Sequence, residues 1–406
     1  MLRQDIKILK RAIRAQFAHK PHLIQINMDC VDKGVELHKE LAADLFVELP
    51  KPKEKFKKQM IIEGADALGL GMIHAGCRMY VGYPMTPASP LLTYMANMQN
   101  RTGLIIKQAE DEITASQMVT GAFFAGTRAA TASAGGGIDL MSETISLNGI
   151  AENPCLIVLA QRAGPGTGVP TWTGQGDLHL AFGCGHGEFP RCVISVSDPK
   201  DCFSLAADAF NIAEEYQMPV ILMTDKHTQE GLYTMPFFDQ KKTTIKRGLV
   251  TKQSELDKLT SDSRYDPSTK DGVSPRWIPG AKAATYCAQG DEHSPDGAVN
   301  ETAENTIAQM DKRARKMQAL YKALPDPTLY GHKQPDVLIV GWGSTKSCVL
   351  DVIRELNAEG SRGGREGKGS PKIGYLHFTY LWPLRVEKFK KLAAKAKKVI
   401  AVEGNA

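Results

Sequence analysis

The sequence has no pair of cysteines in C-x-x-C spacing; its eight cysteines stand scattered at 30, 77, 155, 184, 192, 202, 287 and 348. That argues against a disulfide framework, and against an iron–sulfur or zinc site built from this chain alone. Cys184-Gly-His186, with His179 near by, matches no common zinc spacing and reads as a glycine-rich turn, so no metal site is expected here. A run of about 18 apolar residues is absent, as is the basic, apolar and small-residue succession of a signal peptide. A cytoplasmic protein without membrane association is the expectation. No G-x-G-x-x-G follows an expected strand. Gly341-Trp-Gly-Ser-Thr-Lys-Ser347 has a Lys-Ser pair but lacks the glycines of a phosphate loop, and reads as a strand-to-helix turn with Ser344 as cap. Neither a G-x-S-x-G elbow nor a histidine arrangement typical of a triad or zinc helix is present.

At 406 residues the chain is too long for one ordinary core, and its 42% hydrophobic and 23% charged residues are those of a globular protein. The net charge of +5 arises in the first 60 residues, which hold 13 Lys/Arg against 8 Asp/Glu. Lys51-Pro-Lys-Glu-Lys-Phe-Lys-Lys58 reads as a solvated linker rather than a nucleic-acid or membrane patch.

Residues 1 to 47 look helical, with apolar Ile6, Ile8, Leu9, Ile13 and Phe17 near helical spacing. From about residue 60 short apolar strands alternate with helices. Strands are expected at Met79–Val81, Leu104–Lys107, Ala129–Ser133, Cys155–Gln161, Val193–Val196 and Val220–Met223. The intervening helices include Gly64–Ala75, Glu112–Ala125 and Leu205–Tyr216. Such alternation predicts an α/β fold with a doubly wound, mostly parallel sheet, whose ligands sit beyond the carboxyl ends of the strands. Residues 236–333 lose the pattern but contain a polar helix near Glu304–Ala323. A second α/β unit begins at Asp336–Val340, and the chain reads as cut at both ends. Gly360–Ser370 reads as a flexible insertion.

Polar residues stand at the ends of successive strands: Thr86 after the first, Glu112 after the second, Ser133 to Gly137 after the third and Arg162 after the fourth. In Gly82-Tyr-Pro-Met-Thr-Pro-Ala-Ser89 two prolines fix the backbone around Thr86, which suits a hydroxyl presented to a ligand and equally an ordinary Thr-Pro turn. Glu112 opens a helix, where the dipole favours a carboxylate, and on composition alone capping is the better account of it. Arg162, before Gly164-Pro-Gly-Thr-Gly168, suits bidentate capture of a carboxylate or phosphate, or an ion pair. Ala134-Gly-Gly-Gly137 permits close backbone approach.

Together with Glu110-Asp-Glu112, Gln161-Arg162, Gly185-His-Gly-Glu-Phe-Pro190 and Val402-Glu-Gly-Asn405, these segments resemble the alpha subunit of 2-oxoacid:ferredoxin oxidoreductases, nearest the 2-oxoglutarate type. The resemblance implies a thiamine diphosphate pyrimidine-binding domain over 59–235, a connector over 236–333, and a truncated transketolase C-terminal-like domain over 334–406. It makes 1–58 the end of a gamma-type module with its linker. Glu112 then corresponds to the carboxylate that bonds the aminopyrimidine ring nitrogen, Thr86 and Arg162 to substrate-binding groups, and Tyr83, Pro84, Thr86 and Glu112 to cofactor-binding positions. The implied reaction is oxidative decarboxylation of a 2-oxoacid to an acyl-coenzyme A with reduction of ferredoxin. The Gly-Asp-Gly diphosphate motif is missing, so the beta subunit is implied to bring magnesium, the [4Fe-4S] cluster and the rest of a shared cofactor site. Met85 stands where the family has isoleucine, Gly136 where proline and Gly166 where serine is common. Open alternatives are pyruvate or indolepyruvate oxidation, transketolase-like carbon transfer, and a truncated subunit that only assembles partners.

Overall fold

A computed structural model of the chain describes residues 5–41, 58–362 and 371–405. The expected linker, apart from Lys58, and the expected insertion, apart from residues 360–362, lie outside the described residues. The chain divides after Lys58 into two compact units. The first is a helical hairpin of α1 (Ile6–Gln16) and α2 (His22–Leu41). The Asp5 carboxylate caps α1 through the Lys7 N–H at 2.9 Å, and Lys10 donates to Asp32 across the hairpin at 2.7 Å. Met28 is buried there, whereas Ile8, Leu9 and Ile26 are exposed.

The second unit opens with β1 (Gln59–Glu63), α3 (Gly64–His74), β2 (Met79–Gly82), α4 (Ser89–Thr102), β3 (Ile105–Gln108), α5 (Glu112–Phe124) and β4 (Ala129–Ser133). It continues through α6 (Gly135–Leu140), α7 (Ser142–Ile150), β5 (Cys155–Gln161), α8 (Leu178–Gly183), β6 (Cys192–Ser195), α9 (Pro199–Tyr216), β7 (Pro219–Asp225), α10 (Lys226–Glu230) and β8 (Leu232–Pro236). After α11 (Gln253–Leu256) and α12 (Ala303–Ala323) come β9 (Thr328–Gly331), β10 (Val337–Trp342), α13 (Thr345–Arg362), β11 (Ile373–Phe378), β12 (Tyr380–Trp382), α14 (Glu387–Ala393) and β13 (Lys398–Val402).

Seven strands form the main sheet in the order β12-β6-β7-β5-β4-β2-β3, parallel except for β12. Every residue of β5 and β7 is buried, which is why both read as unbroken apolar runs: helices cover both faces. Close helix approach also needs small residues. A Cβ on Gly71 of α3 would stand 2.4 Å from the Phe203 carbonyl oxygen of α9. From β2 the chain moves to one side to make β3, then returns past β2 to make β4. That reversal opens a crevice beyond the carboxyl ends of β2 and β4, the place where open α/β sheets bind ligands.

A smaller sheet, β13-β10-β11-β9, carries its own core around Val349, Ile353 and Tyr375. Two pairings escape sequence reading. Strand β12 joins the main sheet as an antiparallel edge, and β1 pairs with the distant β8. The Ser344 hydroxyl is directed to the Asp225 carboxylate at the end of β7. No helix among the described residues is long and apolar enough to cross a membrane.

The polar helix α12 turns out to be buried by its charges. Lys312 and Lys316 both donate to Glu152 in a fully enclosed triad that pins α12 to the turn before β5. Burial alone pushes the Glu152 carboxyl up, but Lys312 and Lys316 outweigh it and hold the group below the usual carboxylate range. Its contribution to stability is therefore complete above the unfolded carboxylate pKa and lost only as pH falls through the folded value. Glu152→Ala strands two buried ammonium groups and should lower the unfolding free energy by about 3–5 kcal/mol, read as a shift of the urea midpoint.

Candidate active site

The loop after β2 exposes Tyr83 and Pro84 and half-buries Met85 and Thr86, closing with an Ala88 N–H bond to the Met85 carbonyl at 2.8 Å. Tyr83, 38% exposed, and Pro84 stand at the rim of the crevice. On the far side, Arg162 leaves the end of β5. Its Nη1 donates to the Thr86 carbonyl oxygen at 2.7 Å, so the two predicted residues are joined by a brace over the end of β4. Among the described residues Arg162 forms no ion pair, which leaves its other N–H groups for an anion.

Both readings of the Glu110-Asp-Glu112 segment find a residue. Asp111 is the cap of α5: its carboxylate accepts the Thr114 N–H at 2.7 Å, and that bond foremost holds it below the ordinary carboxylate range. Relieved of capping, Glu112 points into the protein, only 2% exposed, and accepts the Ser133 hydroxyl at 3.1 Å. The same Ser133 Oγ lies 3.4 Å from Met85 Sδ, so the β2 loop, the start of α5 and the end of β4 meet at one serine.

Glycine makes this meeting possible. A Cβ on Gly137 would lie 2.0 Å from Ser133 Oγ and 2.5 Å from Glu112 Oε1, whereas one on Gly136 would meet nothing within 4 Å. The first is therefore a packing requirement of Glu112, and the second is not.

Sequence reasoning passed over Asp177 and Gln175, and gave Gln161 no role beyond its place in the motif with Arg162. Gln161, buried, donates to the Thr224 carbonyl at 3.2 Å and accepts the Asp177 N–H at 3.3 Å. Gln175 donates its own N–H to the Gly404 carbonyl at 2.8 Å, accepts the Gly404 N–H on its side chain at 2.6 Å, and gives an amide hydrogen to Trp342 O at 3.1 Å. The terminal Glu-Gly-Asn motif thus holds the arm that runs from Arg162 to Asp177. Asp177 precedes α8, a six-residue helix that the sequence reading did not anticipate, so nothing singled it out. The Cys184–Gly187 segment is the turn expected, with Gly185 and Gly187 at positive φ. A cavity of about 800 Å³ lies elsewhere, between α9, the segment after β8 and the end of α12, and none of the candidate residues lines it. The arrangement at the strand ends is an open crevice.

Gly137→Ala should destabilise the protein by about 1–3 kcal/mol by forcing Glu112 and Ser133 apart. Gly136→Ala should leave the thermal midpoint unchanged or slightly raised.

The chain is similar to proteins of one family. Residues 70–312 match the family model described as pyruvate flavodoxin/ferredoxin oxidoreductase, thiamine diphosphate-binding. The 2-oxoacid:ferredoxin oxidoreductase 1 subunit alpha of Aeropyrum pernix is 32% identical over 99% of this chain, which spans 62% of that protein's length. The 2-oxoglutarate synthase subunit KorA of Methanothermobacter thermautotrophicus is 30% identical over 86% of this chain and 88% of its own. Among solved structures, the 2-oxoglutarate:ferredoxin oxidoreductase from Magnetococcus marinus, with 2-oxoglutarate, coenzyme A and succinyl-CoA bound, superposes on 100% of this chain and 68% of its own with a TM-score of 0.86 and 35% identity. With more than half its length inside the family model, the chain belongs to the pyruvate flavodoxin/ferredoxin oxidoreductase family, through its thiamine diphosphate-binding part.

Proposed function

We propose that the chain supplies the pyrimidine-binding half of a thiamine diphosphate site in the alpha subunit of a 2-oxoacid:ferredoxin oxidoreductase. The substrate favoured is 2-oxoglutarate, converted with coenzyme A to an acyl-coenzyme A and carbon dioxide while ferredoxin is reduced. One observation carries the reading: Glu112, freed from capping by Asp111, is buried with its carboxylate on Ser133 at the carboxyl end of β4, the strand end that the Arg162–Thr86 brace spans.

The residues fit the cofactor's pyrimidine. Glu112 is a buried acceptor of the kind that holds a proton at a ring nitrogen, with Ser133 fixing its carboxylate and the Cβ-free turn at Gly137 leaving room for it. Tyr83, Pro84 and Thr86 form the adjoining wall. When bound, thiamine diphosphate supplies the nucleophilic carbon and the electron sink for decarboxylation. This chain's share is to bind and orient. Arg162 offers its remaining N–H groups to the 1-carboxylate in a fork that suits a planar anion, and Thr86 stands beside it with its hydroxyl. The names of the relatives support the substrate class: 2-oxoacid and 2-oxoglutarate enzymes recur among them. A beta subunit is proposed to complete the site with magnesium and the diphosphate motif, and to carry the [4Fe-4S] cluster that passes electrons to ferredoxin. This chain has neither the Gly-Asp-Gly motif nor the cysteine spacing for them.

In the assembled enzyme, Glu112→Gln should lower 2-oxoglutarate-dependent reduction of a low-potential acceptor by about 10²–10⁴-fold without a change in thermal midpoint. Near-normal turnover would sink the assignment. Arg162→Gln should raise KM for 2-oxoglutarate by about 10–100-fold, the loss of a charge-assisted hydrogen bond, and leave kcat much less affected.

A further inference from the structure

The triple-glycine turn at the end of β4 lies between two carboxylates. Glu112 packs against Gly137, as described; on the other flank Asp177 packs against Gly135, where an added Cβ would stand 2.9–3.0 Å from three atoms of the carboxyl group. Asp177 precedes α8 in the cap position, yet its side chain makes no capping bond. Its backbone is tied to Gln161, the neighbour of Arg162, and its Oδ2 is closed off from solvent with no hydrogen-bond partner. An ionised carboxylate in that state is costly. Burial pushes the Asp177 carboxyl above its ordinary range, Asp139 of α6 pushes it the same way, and the Arg162 guanidinium pulls it back. These two are the charges acting on it, from α6 and from the end of β5, while Glu112 lies on the other flank of the glycine turn, against Gly137.

A carboxylate ligand arriving on Arg162 brings a second negative charge to this corner. Either it is repelled by Asp177, or the two oxygens share a proton. We propose that Asp177 is a further substrate-binding residue, which in its protonated form donates from Oδ2 to the carboxylate held by Arg162, so that binding a 2-oxoacid takes up one proton from solvent. The proposal rests on the reading of Arg162 as the carboxylate-binding group. It gives the unpartnered oxygen a partner and explains why an aspartate in a cap position forgoes the cap. The sign of the pH dependence follows. The donor is present below the Asp177 pKa and lost above it, so affinity is highest at low pH and falls about tenfold per pH unit once the group is ionised.

The test uses the assembled enzyme. Binding of 2-hydroxyglutarate, an unreactive analogue that keeps the 1-carboxylate, is measured by titration calorimetry in two buffers of different ionisation enthalpy at pH 6 and pH 8.5. Uptake approaching one proton per site at the higher pH supports the proposal; no uptake overturns it, with no variant needed. Asp177→Asn, whose amide still donates, should abolish the uptake and flatten the rise of KM for 2-oxoglutarate with pH. Asp177→Ala should raise KM about five- to tenfold at pH 6. If Asp177→Asn keeps the proton uptake, another group carries it and the proposal fails. Arg162→Gln separates the two readings: an unchanged KM there means Arg162 does not hold the carboxylate, whereas a raised KM with no proton uptake in the parent overturns the role of Asp177 alone.

Discussion

Glu112 can lie in the interior only because the residue facing it has no Cβ. The start of α5, the end of β4 and the loop after β2 are brought within hydrogen-bonding reach of Ser133, and any side chain at Gly137 would occupy the space where two of them meet. The close approach is in turn a product of the sheet. Strands β2, β3 and β4 are adjacent and parallel, so their carboxyl ends arrive at one edge, and the reversal of direction at β2 leaves a gap above it.

The division of labour between Asp111 and Glu112 shows how two adjacent acids acquire different characters. Asp111 meets the orphan N–H groups of α5, and Glu112 is turned inside as a hydrogen-bonded carboxylate behind the turn. Had Glu112 served the helix, the crevice would hold no acid from this segment. The brace from Arg162 to Thr86 has the same economy: one N–H fixes the loop geometry, and the rest of the guanidinium stays available.

The main sheet was legible because its strands are covered on both faces. Strand β5 was expected at Cys155–Gln161 and is found there, an apolar run bounded by Pro154 and Arg162 and buried throughout. The site was legible in its outline too, as strand ends punctuated by Thr86, Glu112 and Arg162. What remained hidden has two physical sources. Pairings such as β1 with β8, or β12 at the sheet edge, join segments far apart through backbone bonds that a short strand's side chains do not announce. Buried charge was the other. Lys312 and Lys316 look like the solvated face of a polar helix until Glu152 is seen opposite them, and Asp177 stands before a short helix that the sequence does not announce, its side chain making no capping bond.

The clasp at Gln175 carries a constraint on inheritance. Its side chain gives a hydrogen to Trp342 and receives one from Gly404, while its backbone meets Gly404 and Asn405. Only a carboxamide of this length offers both polarities at once. Glutamate would set a negative oxygen against a carbonyl, leucine would leave both backbone groups orphaned, and asparagine would fall short by a methylene. A position that looks like one more polar loop residue therefore has no conservative replacement, and the arm bearing Arg162 and Asp177 can drift in sequence only around it.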